Sequence, residues 1–149
     1  MTENKKVFVD INNVRNEEMR QMWQKIIDDG VDPFDLQYLS QYHPKPILKV
    51  GKHWFVTENN FIYPNAKHQF LFITIKYAET LADLEPEASA ELLSLADEYC
   101  TEYNIQGGAL CMRFGRTSVT GASVKHLHAQ LIESDIEQGT VVFPIGKRK

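Results

Sequence analysis

"KHLHAQLI", residues 125–132, sets His126, His128 and Gln130 at alternate positions among Leu127, Ala129 and Leu131. Alternate side chains of a β-strand point to opposite faces. The spacing therefore predicts a strand with one face in a core and three nitrogen-bearing groups together on the other. The preceding "GRTSVTGAS", residues 115–123, is small and flexible, and such a loop entering a strand offers backbone N–H groups and hydroxyls to an anion. Three readings of the polar face stand side by side. Imidazoles at i and i+2 can converge on a metal, although His43, His53 and His68 are scattered with no metal-ligand spacing. The histidines and Gln130 can be buried groups satisfied by hydrogen bonds. The sharpest reading is a phosphate site with a histidine nucleophile.

Outward from this stretch the chain reads as mixed secondary structure without repeats. In "NEEMRQMWQKIIDD", residues 16–29, Met19, Met22, Trp23, Ile26 and Ile27 follow helical spacing, with Gly30 as terminator. "VDPFDLQYLSQYHPKP" (31–46) reads as a loop or short helical turn bounded by prolines. "ILKVGKHWFVTE" (47–58) predicts two strands around Gly51-Lys52. "NNFIYPNAK" (59–67) is a loop and "HQFLFITI" (68–75) a central strand. A second helix starts near Pro86, carries the apolar stripe Ala88, Leu92, Leu95, Ala96, Tyr99 and Tyr103, and is expected to stop at Gly107-Gly108. "GALCMRFG", "SVKHLHAQLI" and "TVVFPI" complete the strands. Short links between strands favour an α+β fold, an antiparallel β-sheet with helices packed on it.

The 149 residues, 43% hydrophobic, suit a single domain over 1–149. A net charge of −4 argues against a nucleic-acid polymer as ligand, while a small phosphorylated ligand needs only a few local donors. "MTENKKVFVDINN", residues 1–13, lacks an apolar signal core, and no run approaches the roughly 18 apolar residues of a membrane span, so the expectation is a cytoplasmic protein without membrane contact. Cys100 and Cys111 are too few for a disulfide framework or a cysteine-rich zinc site and are expected as buried thiols.

"SVKHLHAQLI" resembles the signature of the histidine triad (HIT) superfamily, His-x-His-x-His followed by apolar residues, in the branch with Gln in third place. The similarity extends upstream through "NNFIYPNAKHQFLFITIKYAETLADLEPEASAELLSLADEY" and covers about residues 47–132, leaving 1–46 as an N-terminal helix and loop extension. The resemblance implies a HIT-like antiparallel sheet with helices on one side, and a homodimer. It also implies action on nucleoside phosphate derivatives, as a hydrolase, phosphorylase or nucleotidylyltransferase. By the same resemblance His128 is the nucleophile, forming a covalent nucleotidyl-histidine, with its tautomer fixed by the carbonyl of His126. The His126 side chain braces the geometry, and Gln130 donates an N–H to a phosphoryl oxygen without supplying a proton to the leaving group.

Gly121 and Ser123 match the family's phosphate loop, though turn chemistry explains them equally well. Arg113 is placed to reach the phosphates, or is a solvated strand arginine. Asn59 falls near the family's ribose-binding position. Trp54, Phe55 and Phe61 form either an apolar slot for a base or plain core. No cofactor is required; magnesium can accompany the substrate, for which no carboxylate cage is offered. Three departures stand out. Tyr77 replaces an upstream histidine, Ala122 replaces a phosphate-binding Gln of some relatives, and "DPFD" (32–35) has Asp32 and Asp35 where zinc-containing relatives carry Cys-x-x-Cys. The zinc site is expected to be lost, with Asp32 capping a turn. An enzyme and a non-catalytic nucleotide-binding or regulatory protein remain the alternatives.

Overall fold

The computed structural model describes residues 6–147. Among these, strands β1 (Ile47–Val50), β2 (Trp54–Glu58), β3 (Ala66–Thr74), β4 (Ala109–Arg113) and β5 (His128–Ser134) form one sheet in the order β1-β2-β3-β5-β4, every neighbouring pair antiparallel. The α+β expectation holds. β3 is the central strand, and its unbroken apolar run follows from cover on both faces. Phe70 and Phe72, with Trp54, Val56, Ala129 and Leu131, pack against Leu92, Leu95, Ala96 and Tyr99 of α3 (Pro86–Glu102). Leu71 and Ile73 point the other way and join Phe55 and Leu39, the first residue of α2 (Leu39–Tyr42).

That second face carries the N-terminal segment. Helix α1 (Glu17–Asp29) is capped by the Asn16 side chain, which accepts from the Met19 N–H, and ends at Gly30 with φ of 69°. Met19, Trp23 and Ile26 bury its apolar stripe against Val9 and Val124. The chain before α1 pairs with the loop before β5: Asp10 N–H donates to Ser123 O at 2.7 Å and Lys125 N–H to Phe8 O at 2.9 Å. Asn13 Nδ2 donates to Thr117 O and Ala122 O, both at 2.9 Å. The segment 7–26 thus braces the loop that leads into the "KHLHAQLI" stretch.

Four details differ from the sequence expectation. β5 begins at His128, because the backbone bends at His126 and Leu127 N–H instead bonds Ala78 O at 2.7 Å. α3 ends at Glu102, where Asn104 at φ of 52° takes the left-handed place expected of glycine; Gly108 instead lets the chain pass close to the Ile132 carbonyl. "TVVFPI" is not a strand. Pro144 has no N–H to give a ladder, and the segment is tied by other groups, with Asn65 donating to Thr140 O and Gly146 N–H to Thr120 O. Cys100 and Cys111 are free thiols of intermediate exposure rather than fully buried. No helix among the described residues is long and apolar enough to cross a membrane.

One carboxylate of α3 holds the β1–β2 turn. Glu91 accepts from the backbone N–H groups of Lys52 (2.8 Å), His53 (2.7 Å) and Trp54 (2.9 Å). Burial alone would raise its pKa, but these donors hold it below the ordinary glutamate value. Glu91→Ala strands three donors and is expected to lower unfolding stability by about 1–3 kcal/mol, measured as a shifted urea midpoint at unchanged slope.

Candidate functional site

The sheet face opposite α3, the loop 117–125 and α1 enclose a cleft of about 900 Å³ including its solvent-open mouth. His128 and Gln130 of β5 and Arg113 of β4 line its floor, while Met19, Trp23 and Phe61 give it an apolar wall. Cys111 pairs with Gln130 and Arg113 with His128 across β4 and β5, so the alternation on both strands delivers these side chains to the same face.

His128 Nδ1 lies 2.8 Å from His126 O. A carbonyl only accepts, so Nδ1 carries the proton and Nε2 is the unprotonated nitrogen. Phe34 meets the His128 ring edge-on, with centroids 5.0 Å apart. Burial lowers the His128 pKa from 6.5 to about 4, against the smaller upward pull of the His126 carbonyl. The ring is therefore neutral at pH 7. Its contribution to stability is complete above pH 6.5 and is lost as pH falls toward about 4, because the unfolded chain takes up the proton first.

His126 does not share the strand face with its neighbours. From its bend it turns inward, 1% exposed, between two elements. Its Nε2 lies 2.7 Å from Thr74 O and 2.9 Å from Thr74 Oγ1, and its Nδ1 lies 2.6 Å from Asp32 Oδ2. Thr74 thus holds one ring nitrogen and the Asp32 carboxyl the other, so the His126 ring is fixed from both sides. Asp32 also accepts the Phe34 N–H at 3.0 Å, which makes it the turn cap foreseen from the sequence and a brace for His126 that was not foreseen.

The remaining residues divide. Gly121, at φ of 80°, and Ser123 line the cleft. The Gly121 N–H bonds Thr117 O and the Ala122 N–H bonds Thr120 Oγ1, so Ser123 is the loop residue with a hydroxyl to offer a ligand. "GRTSVTGAS" is not all loop, since Thr117–Thr120 forms one helical turn, α4. Arg113 lines the cleft with its donors on Pro144 O (2.9 Å from Nε) and Tyr63 OH (3.0 Å from Nη2), its guanidinium 3.8 Å above the Phe143 ring. Asn59 also lines the cleft, where its Nδ2 donates to Gln130 Oε1 at 3.1 Å. Trp54 and Phe55 are fully buried core on opposite faces of the sheet and form no slot; Phe61 alone of the three reaches the cleft. His43 is a cleft residue that sequence reasoning left aside, its Nε2 2.8 Å from Thr57 Oγ1 and its pKa lowered by burial.

No family model matches the chain, and no curated protein matches it. Solved structures do. A HIT family hydrolase from Legionella pneumophila is similar at 20% identity and TM-score 0.51 over 63% of this chain and 85% of its own. A histidine triad nucleotide-binding protein from Candida albicans is similar at 16% and 0.54 over 84% and 82%. A Zn-bound histidine triad family protein from Mycobacterium smegmatis is similar at 16% and 0.53 over 72% and 78%. The fold of this chain is the histidine triad fold.

Asp32, Asp35 and the groups around them do not fit a zinc ion. Asp32 and His126 spend their donor atoms on each other, and the Asp35 carboxylate accepts the Gln37 N–H at 2.8 Å. Tyr77 stacks edge-on to His126 at 5.2 Å, and burial pushes its hydroxyl far up in pKa. No group of three or more metal-ligating side chains occurs among the described residues. Asp32→Ala leaves His126 without its buried partner and is expected to cost about 3–5 kcal/mol in urea denaturation. Wild-type protein should carry no stoichiometric zinc by elemental analysis, and a chelator should leave its Tm unchanged.

Proposed function

We propose that the chain is a nucleotidyl hydrolase or transferase that acts on nucleoside phosphate derivatives through a covalent intermediate on His128. The observation that carries this reading is a neutral imidazole in a cleft, its tautomer fixed by the His126 carbonyl, beside a buried amide at Gln130. Nε2 attacks the α-phosphorus, a P–N bond forms, and the P–O bond to the leaving group breaks with its electron pair on the departing oxygen. Water, phosphate or another acceptor then attacks the same phosphorus and returns the imidazole. Gln130 steadies the phosphoryl oxygens by donating an N–H and has no proton to release. Leaving groups stable as anions, such as phosphate-chain ends, therefore suit the site. Ser123 and Arg113 are assigned to the phosphates, the latter once its contact with Pro144 opens, and Phe61 with the α1 wall to the base. Magnesium shielding the substrate, a homodimer and a cytoplasmic setting belong to the same proposal.

The 4-nitrophenyl esters of AMP and GMP test it, because 4-nitrophenolate leaves without an acid. A burst of one nitrophenolate per chain is expected, with one nucleotidyl mass on the His128 peptide after an alkaline quench. His128→Ala should abolish burst and adduct, and Gln130→Ala should slow the burst by roughly 10²-fold. Turnover undiminished in His128→Ala would end the covalent reading; tight nucleotide binding without reaction would support the binding-protein alternative. The burst rate of the wild type should stay level from pH 7 down to 5.5, because His128 titrates near 4. An acid limb at the ordinary histidine value of ~6.5 would contradict the assignment.

A further inference from the structure

The Gln130 amide is held by its oxygen. Asn59 Nδ2 donates to Gln130 Oε1 at 3.1 Å, and Gln69 Nε2 donates to the same oxygen. The two ends of a carboxamide have almost the same shape, so only their partners decide which end points where. Here the outermost partners are backbone N–H groups, whose role admits no reversal. Phe61 N–H donates to Asn59 Oδ1 at 2.8 Å, and Tyr63 N–H donates to Gln69 Oε1 at 2.7 Å. Each pins an amide oxygen, so Asn59 and Gln69 must both present N–H onward. Their donors meet at Gln130 Oε1 and occupy both its lone pairs. The N–H edge of Gln130 is then the end available to a ligand beside His128. Gln69 itself is buried at 4% exposure on β3 and is not part of the cleft lining.

We infer that Gln69 and Asn59 are positioning residues for the reaction at His128, locking Gln130 so that it meets the transferring phosphoryl group with donors. The inference rests on the nucleotidyl-transfer reading above. A reversed Gln130 amide would set a carbonyl dipole against developing negative charge, which turns a stabilising contact into a repulsive one. The relay thus supplies what a simple glutamine lacks, a fixed polarity. It also gives Asn59 a task other than holding a ribose hydroxyl.

Gln69→Glu keeps the length of the side chain and its acceptor for the Tyr63 N–H, but its ionised carboxyl has no donor for Gln130 Oε1. When protonated it has one again. With 4-nitrophenyl AMP as probe, the burst rate of this variant should fall by roughly 10²-fold at neutral pH and recover toward wild type on acidification, at unchanged KM. Wild type should show no such dependence, since His43 and His128, the histidines lining the cleft, both have pKa values lowered by burial. Gln69→Leu should lose the same factor at every pH. Asn59→Asp, at the more open end of the relay, repeats the measurement should the buried substitution prevent folding. Wild-type burst rates in these variants, or an equal and pH-independent loss in Gln69→Glu and Gln69→Leu, would overturn the positioning role. A wild type that forms no adduct would instead overturn the reading beneath it.

Discussion

The hydrogen bond between Asp32 and His126 joins two parts of the chain that are 94 residues apart. One is the loop after α1, and the other is the bend from which β5 starts. The pair fixes the His126 ring, the ring with Thr74 fixes the bend, and the bend aims the His126 carbonyl at His128 Nδ1. Phe34, two residues after Asp32, packs on the His128 ring and helps to dehydrate it. A buried pair of this sort contributes little net stability over an apolar substitute, because desolvation offsets attraction. Its value lies in geometry: a single loop determines both where the His128 ring points and how dry it is.

The sheet was legible in the sequence because its cues are local. Period-two alternation in "KHLHAQLI" assigned His128 and Gln130 to one face, and Ala129 and Leu131 to the α3 core. Gly30 marked the end of α1 for the same reason, while Asn16, read as the first residue of the helix, is its cap. Local cues also misled. β-branched residues in "TVVFPI" outweighed Pro144, and Gly107-Gly108 drew attention from Asn104, which ends α3. Arg113 showed itself as a cleft cation, but its partners on the segment 143–144 follow only from tertiary packing.

The partners of the site were the least legible part. Asp32 was visible as an aspartate in a cysteine's place, yet nothing near it in sequence pointed to His126. Gln69 was the one uncharged amide in an apolar strand, and its alternation with Phe70 and Leu71 is a signal that could have been followed to the site face. The loop 59–65 supplies the rest. Its backbone N–H groups at Phe61 and Tyr63 dictate the orientation of two amides, so part of the site's chemistry is written in main-chain geometry that side-chain identity does not reveal.

The chain has two tryptophans, and the fold gives them separate surroundings. Trp54 has no exposure, donates its indole N–H to Ala88 O at 2.7 Å, and sits in the α3 core. Trp23 is on the cleft wall, donating at 3.1 Å to Ser123 O in the loop before β5. The molecule therefore contains two native fluorophores with different duties. Trp54 is placed to report on the integrity of the core, and Trp23 on entry into the cleft or movement of the loop beneath it, so occupancy and unfolding should be separable in one unlabelled sample.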